Sequence, residues 1–575
     1  MSYREVYNSW INSSFLNKKE KEELKNIYDE DEIKDRFYKD LSFGTGGIRG
    51  LVGLGTNRIN RYTVAKTTQG LANYLMHSFK EKSISVAIAY DCRNDSFDLA
   101  KITSEVLCSN DIKVHIFSDI MCTPILSYVV RELKCKAGIV ITASHNTSEY
   151  NGYKVYNHNG NQITDMEAKN IFEYISKVKN LSNIKYMNIE NAKEKFLYNF
   201  VPTEVLNKYF LNVKNLALRK DIIKKYGSDL KILYTPLHGT GKFPVRKALK
   251  ECGYNNIFVV KEQEEPNGDF PTVKYPNPED PKSFYVSLKE AKNINPDIII
   301  ATDPDCDRVG VMVKEHNEEY VALNGNELGI ILTNYILSAL EEEKGIPKNS
   351  VILKTIVTTD MVKNICKDYG VKVEEVLTGF KYIGEKIEEF KSNGQNKFIF
   401  GFEESYGYLF GDFVREKDGI ISSTLICEMA LYYKIQNKNL YDVLKELYDK
   451  YGYYKERLIS MEFKGEEGNR KIENIINKLR VYDLKTIFNE KILAKEDYKI
   501  GVKMIMNEKK EYINGFPKSN VLKFYLNNNT NFVVRPSGTE PKLKIYLSSV
   551  DKTSKDAEIK INNLEKNIKN MIKKF

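Results

Sequence analysis

Ala137-Gly138-Ile139-Val140-Ile141-Thr142-Ala143-Ser144-His145-Asn146 decides how this chain is read. Its apolar first half describes a strand buried on both faces, of the kind found inside parallel sheets. The run then stops in a hydroxyl, an imidazole and an amide. A strand ending this way delivers reactive groups to the lip of its sheet, where open α/β sheets bind their ligands. Asn151-Gly152-Tyr153-Lys154 follows, read as a flexible glycine and a cation within reach of the same lip. Ser144 is left with two roles: capping a helix, or carrying a covalent group.

Working outward, strands are expected at 85–90 and 114–117 and helices at 96–109 and 124–133, so stacked βαβ units precede Ser144. The rhythm returns with strands at 232–234, 257–260 and 298–300 and helices at 245–251 and 282–292. It returns again with strands at 351–353, 373–376 and 398–400 and helices at 360–369 and 382–390. Three copies of one architecture suggest an internal triplication with little residue identity. The last part differs, with strands at 453–461, 502–506, 521–525, 532–535 and 543–547 suggesting a mostly antiparallel α+β domain. The expected class is therefore α/β, with three similar mixed-sheet domains at 1–206, 207–318 and 319–446 and an antiparallel α+β domain at 447–575.

A chain of 575 residues exceeds one hydrophobic core, and 42% hydrophobic with 29% charged residues is ordinary for a soluble protein. No apolar run reaches the roughly 18 residues needed to span a bilayer. The stretch 328–340, interrupted by Thr333 and Asn334, reads as a buried helix. The first residues lack the apolar segment of a signal peptide, so a cytoplasmic location is expected. The eight cysteines show no metal-knuckle spacing and read as reduced, buried thiols. The net charge of +9 is thin for this length, with lysines interleaved with glutamates as in 18–24. Together with the absence of arginine–aromatic clusters, this argues against nucleic acid and suits a phosphorylated small molecule.

Each unit carries one loop of unusual composition. Asp303-Pro304-Asp305-Cys306-Asp307-Arg308 follows a buried strand. Read as an extended backbone, it sets its aspartates on one side, where they would repel one another without a hard cation such as Mg²⁺. The bland alternative is a solvated acidic turn. Cys306 is expected to point away from the ion. Thr378-Gly379-Phe380-Lys381 and Gly401-Phe402-Glu403-Glu404-Ser405-Tyr406-Gly407 offer carboxylates, a hydroxyl and a cation suited to sugar hydroxyls, although either could be a surface turn. Arg535-Pro536-Ser537-Gly538-Thr539-Glu540-Pro541 is a metal-free phosphate cradle or a proline-bounded hairpin. Gly44-Thr45-Gly46-Gly47-Ile48-Arg49-Gly50 lacks the Lys-Ser/Thr ending of a nucleotide P-loop and reads as a flexible loop presenting Arg49 to an anion.

Taken in order, these strings resemble the α-D-phosphohexomutases, the phosphoglucomutase and phosphomannomutase superfamily, over nearly the whole chain. The resemblance implies a four-domain, heart-shaped enzyme with a central cleft and a phosphoserine at Ser144. It implies Mg²⁺ held by Asp303, Asp305 and Asp307 with a phosphoserine oxygen, and Arg308 near the transferred group. Glu403 and Ser405, with Gly379 and Lys381, match the sugar readers. Arg535, Ser537, Gly538 and Thr539 match the binders of the non-reacting phosphate. Arg49, His145, Lys154 and Lys417 match basic positions for proton transfer or phosphate neutralisation. The implied reaction is an intramolecular phosphoryl transfer through a sugar bisphosphate, with glucose phosphate the first choice and glucose 1,6-bisphosphate the intermediate. Pentose and mannose phosphates, or bisphosphate synthesis, are the alternatives within the superfamily. A phosphatase is disfavoured because it needs no second phosphate cradle. Pro304 and Cys306 depart from the small residues common in the metal loop. The partner expected is a sugar phosphate, with no membrane, and the chain is a monomer or homodimer.

Overall fold

The computed structural model describes residues 2–81, 83–315, 318–463, 465–481, 486–488, 490–505, 509–537 and 542–575. The chain forms two compact units, Met1–Leu353 with Gly379–Leu440, and Lys354–Thr378 with Tyr441–Phe575.

In the first unit, strands Ile48–Leu51 (β1), Ser85–Tyr90 (β2), Lys113–Ile116 (β3), Ala137–Ile141 (β4), Tyr150–Asn157 (β5) and Tyr198–Phe200 (β6) form one sheet, ordered β1-β5-β4-β2-β3-β6. β4, β2, β3 and β6 run parallel, while β5 and β1 are antiparallel additions. All five residues of β4 are buried, as a central strand covered on both faces requires. Helix Ser96–Ser109 turns Leu99, Ala100 and Leu107 into this core. Its buried Thr103 and Ser104 hydroxyls donate to the carbonyls of Leu99 and Ala100, so no polar group is stranded there. Three N-terminal helices, Tyr3–Ile11, Lys18–Lys25 and Glu30–Phe37, close over Trp10, Leu24, Phe37 and Tyr62.

Two expectations are corrected here. Arg49 does not sit in a flexible loop but in β1, opposite Gly152 of β5. Gly152 is likewise a strand residue. A Cβ there would lie 2.6 Å from the Thr142 carbonyl oxygen and 3.0 Å from that of Ile48, so glycine serves close backbone approach rather than flexibility. Short antiparallel strands rich in Gly, Asn and Tyr lack the apolar alternation that marks a strand in sequence.

A second sheet holds Ile232–Thr235 (β7), Ile257–Val259 (β8), Ile298–Thr302 (β9), Val309–Lys314 (β10) and Tyr320–Leu323 (β11), ordered β11-β10-β9-β7-β8. The helix expected at 282–292 is a 3₁₀ turn, Pro281–Phe284, leading into helix Tyr285–Ile294. Asp280 caps that turn by accepting from the Lys282 amide. The third repeat runs Ser350–Thr355 (β12), helix Met361–Asp368, Lys372–Val376 (β13), helix Phe380–Asn393, Lys397–Glu403 (β14) and Gly407–Phe410 (β15). In all three repeats a buried strand is followed by an antiparallel partner, β4–β5, β9–β10 and β14–β15. Helix Gly325–Glu343 is the buried helix expected around 328–340. Among the described residues no helix is long and apolar enough to cross a membrane.

The second unit is built on Tyr453–Glu462 (β16), Thr486–Ile487 (β17), Glu490–Asp497 (β18), Val502–Ile505 (β19), Lys509–Tyr512 (β20), Leu522–Leu526 (β21), Thr530–Pro536 (β22) and Lys542–Asp551 (β23). Their order is β16-β23-β22-β21-β18-β19-β20, with β17 on β18 and every pair antiparallel. Leu543, Ile545 and Leu547 alternate inward along β23. They meet Ile561, Leu564, Ile568 and Ile572, which recur at helical spacing along helix Ser554–Lys574.

Candidate active site

Ser144 leaves β4 in a left-handed conformation, φ 52°, unusual for a residue with a Cβ. Local bonds hold it there. Its amide donates to Thr142 Oγ1 at 2.8 Å, and Thr142 Oγ1 donates to Asp91 Oδ2 at 2.6 Å. No helix begins at Ser144, so the capping role fails. Instead Ser144 Oγ donates to Asp303 Oδ2 at 2.9 Å and lies 3.3 Å from His145 Nδ1. Burial, then Arg308 and Arg49, hold the His145 imidazole well below its ordinary range, so it is neutral at pH 7. Arg49 Nη1 donates to Asn146 Oδ1 at 2.9 Å, placing the arginine beside the same loop.

The aspartate loop after β9 is not extended, as its alternation suggested, but a tight turn. Cys306 has φ 56° and its amide donates to the Asp303 carbonyl at 2.9 Å. The folded-back chain lets Asp303 Oδ1 accept from the amides of Asp307 and Arg308 at 3.1 and 3.0 Å. Neighbouring elements pin three successive loop carbonyls: Thr240 N donates to Pro304 O, Thr123 N to Asp305 O, and Gly419 N to Cys306 O, at 2.8–3.1 Å. The result brings carboxylate oxygens of Asp303, Asp305 and Asp307 within 4.8 Å of one another, all buried.

Burial and the repulsion of Asp307 and Asp305 push the Asp303 carboxyl well above the usual carboxylate range. Against its own burial, Asp305 is held well below that range by Lys154. Lys154 Nζ sits 2.7 Å from Asp305 Oδ2 and 3.7 Å from Asp307 Oδ2. Lys417 Nζ lies 2.9 Å from Asp307 Oδ2 and 3.1 Å from Glu416 Oε1. Although burial opposes it, Asp307, Glu416 and Glu403 raise the Lys417 ammonium above the ordinary lysine range, so it stays charged. Even so, Asp305 Oδ1 and Asp307 Oδ1 are buried with no hydrogen-bond partner. Oxygen-only donors, two of them orphaned, fit a hard divalent cation.

Glu403, at the end of β14, accepts from the Gly379 amide at 2.9 Å. Burial pushes its carboxyl up to about 7 in spite of nearby Lys417. A Cβ on Gly407 would lie 2.5 Å from Lys417 Cδ, so this glycine clears the path by which the lysine reaches Asp307. Ser405 is half-buried in the β14–β15 connection. Its neighbour Tyr406, φ 65°, ties that connection to β10 through a bond from the Val309 amide to its carbonyl. Arg308 pairs with Glu279, which, with Asp307, raises the guanidinium further despite burial.

Ser144, His145, Arg49, Lys154, the three aspartates, Arg308, Lys417, Glu403 and Gly379 thus belong to one connected cluster. Lys381 instead donates to Asp165 Oδ1 at 3.0 Å, alongside the Tyr382 hydroxyl on Asp165 Oδ2. Arg535 and Ser537 belong to the other unit, half-buried at and just past the end of β22, where the Ser537 amide donates to the Lys542 carbonyl at 2.8 Å. Gly538 and Thr539 lie outside the described residues. Sequence reasoning missed Asp91, Arg93 and Glu279, and read Arg415-Glu416-Lys417-Asp418-Gly419 only as a weak signal, without a role for Glu416 or Asp418. Asp91-Cys92-Arg93 follows β2 as the Ser144 loop follows β4, and position at a parallel strand's carboxyl end was the signal available. Asp418 caps helix Gly419–Lys434 by accepting from the Ile420 and Ile421 amides, which fixes Lys417 immediately before it.

Comparison with known proteins identifies the family. Three family models match: phosphoglucomutase/phosphomannomutase alpha/beta/alpha domain I over residues 40–182, domain II over 207–317 and domain III over 324–451. A phosphoglucomutase of Staphylococcus epidermidis is 37% identical, covering 94% of this chain and 96% of its own. A phosphoglucomutase of Staphylococcus haemolyticus is 38% identical, covering 89% and 91%. Among solved structures, a phosphoglucomutase/phosphomannomutase family protein of Burkholderia thailandensis shares the fold with TM-score 0.65 at 15% identity, covering 92% of this chain and 96% of that one. The open form of parafusin, a phosphoglucomutase of Paramecium, gives TM-score 0.67 at 17% identity, covering 93% and 96%. With a near full-length relative above one-third identity and three successive family domains, this chain belongs to the phosphoglucomutase/phosphomannomutase family.

Proposed function

We propose that the chain is a phosphoglucomutase that interconverts glucose 1-phosphate and glucose 6-phosphate, with Ser144 as the phosphoryl carrier. It is an isomerase of the phosphohexomutase type, acting on a phosphorylated sugar. The observation carrying the proposal is the Ser144 hydroxyl 2.9 Å from Asp303 within three buried carboxylates. Mg²⁺ held by Asp303, Asp305 and Asp307 would supply the positive charge that lets an anionic phosphoserine meet an anionic substrate.

The chain's own residues perform the rest. Ser144, in its phosphorylated form, loses its phosphoryl group as the sugar's free hydroxyl forms a new O–P bond; the hydroxyl proton leaves and the serine oxygen is freed. The resulting glucose 1,6-bisphosphate turns over and returns its other phosphate to Ser144. Lys154 and Lys417, paired with Asp305 and Asp307, serve as fixed positive charges. This leaves His145 and Arg49, beside Ser144, to manage the proton and the leaving oxygen. Glu403, Ser405, Gly379 and Lys381 read the sugar, Arg308 steadies the transferred group, and Arg535, Ser537, Gly538 and Thr539 take the non-reacting phosphate. The same reading divides the chain at about residues 206, 318 and 446 and places it in the cytoplasm as a monomer or homodimer.

Coupled assays with glucose 1-phosphate, mannose 1-phosphate and ribose 1-phosphate, each with catalytic glucose 1,6-bisphosphate, test the substrate. Fastest turnover of glucose 1-phosphate supports the proposal. Stoichiometric release of inorganic phosphate would replace it with a phosphatase.

A further inference from the structure

One buried guanidinium, outside every group given a role above, wraps the backbone on which Ser144 is carried. Arg93 Nη2 donates to the Ser144 and Asn146 carbonyls at 2.7 and 2.6 Å, and Nη1 to those of Thr147 and Tyr150 at 2.7 and 2.8 Å. Its Nε lies 3.2 Å from Asp91 Oδ2, the oxygen to which Thr142 Oγ1 also donates. Asp91 therefore reaches Ser144 from both sides: its amide through Thr142 and its carbonyl through Arg93. The flat face of Arg93 sits 5.1 Å from the Phe270 ring centroid. Next to it, Asn94 Nδ2 donates to Asp269 Oδ1 at 2.8 Å, so the device is anchored on the second repeat, which also supplies the aspartate loop.

We infer that the Asp91–Arg93 pair is a positioning device for the phosphoryl carrier, locking Ser144 in its left-handed conformation so that Oγ stays aimed at Asp303. Four carbonyls facing one centre need a planar fork with donors in several directions. A lysine keeps the charge but gathers its three donors on one nitrogen, which cannot span four carbonyls as a fork does. Arg93 is buried and bonds the Ser144 carbonyl, not its hydroxyl oxygen. Its effect is geometric, and small displacements of a reacting group cost about 100-fold in rate.

The inference rests on Ser144 carrying the phosphoryl group, and the test separates the two. Phosphorylation of Ser144 by glucose 1,6-bisphosphate is followed by mass spectrometry in wild type, Arg93→Lys, Thr142→Val and Ser144→Ala, together with kcat and KM. Arg93→Lys is expected to slow phosphorylation and kcat about 100-fold with KM changed less than about threefold. Thr142→Val, which removes the amide-side arm without replacing a charged residue, is expected to lower kcat about tenfold. In Arg93→Ala, millimolar guanidinium is expected to restore part of kcat. If wild-type Ser144 takes no phosphate, the carrier reading fails. If wild type takes it and Arg93→Lys takes it at the same rate, or loses KM and thermal stability while keeping kcat, the positioning inference alone fails.

Discussion

The connections after β4 and after β9 occupy the same place in two repeats but differ in charge: one offers neutral oxygens, the other carboxylates. Each leads from a buried strand into its antiparallel neighbour, and each turns at a non-glycine residue with positive φ, Ser144 or Cys306. The Ser144 connection presents backbone carbonyls to Arg93 and the Asn146 side-chain oxygen to Arg49, while its hydroxyl donates to Asp303. The Asp303 connection presents carboxylates and draws in Lys154 and Lys417. A third copy of the turn, at Tyr406 after β14, follows Glu403, whose carboxyl burial pushes up to about 7. One backbone solution is thus reused, and chemistry is assigned by the few side chains at each turn. A hydrogen bond joins the turns: Ser144 Oγ donates to Asp303 across the two repeats.

The strongest way to break this comparison is to remove the group that makes the first turn reactive. Ser144→Ala should reduce mutase turnover by about 10⁴-fold or more, judged from nucleophile deletions elsewhere, while sugar-phosphate binding measured by calorimetry is largely kept. Chelation by EDTA comes next. It should abolish activity, and Mg²⁺ should restore it while raising the melting temperature, because three buried carboxylates gain a counter-charge only in the folded state.

The third turn offers a finer test through pH. The folded chain keeps the Glu403 proton up to about pH 7, whereas the unfolded chain releases it near 4.5. Between these values the folded state binds more protons, so this group's contribution falls as pH rises. The total loss is at most about 3 kcal/mol. Glu403→Gln should remove that slope, seen by comparing urea midpoints of variant and wild type from pH 4.5 to 7.5; an unchanged slope would refute it. The smallest effect is expected from Asp418→Ala, which removes the cap beneath Lys417 and leaves the Tyr209 hydroxyl, now 2.6 Å from Asp418, unpaired. A loss of about 2 kcal/mol in chemical denaturation is expected.

Much of this was readable before any fold was known, and the reasons are local. β4 announces itself because five consecutive apolar residues admit few alternatives, and helix Gly325–Glu343 because its run of apolar residues exceeds a strand's length. β1 and β5 were missed because Arg49, Gly50, Asn151, Gly152 and Lys154 break up their apolar residues, although Ile48, Tyr153 and Val155 are buried in the core. The aspartates were visible as a period-two string, but the inference of an extended loop was wrong. Period two describes side chains on a strand, and here the Cys306 turn folds them together instead. Arg93 carried no signal beyond its place after β2. Its role depends on carbonyls that are remote along the chain.

Sequence alone determined which chemistries were present: a hydroxyl at a strand end, a run of carboxylates, a carboxylate–hydroxyl loop and an arginine–serine turn. Residue type and spacing are written in the chain, and so is the αβ alternation that hydrophobic burial imposes. Tertiary structure alone decided which of these meet. That Lys154 faces Asp305, that Lys417 passes over Gly407 to Asp307, and that Arg93 gathers carbonyls from the Ser144 loop follow from strand order and close packing. Charges separated by 150 residues or more in sequence become neighbours only when the sheets form, and their burial then makes each pairing obligatory.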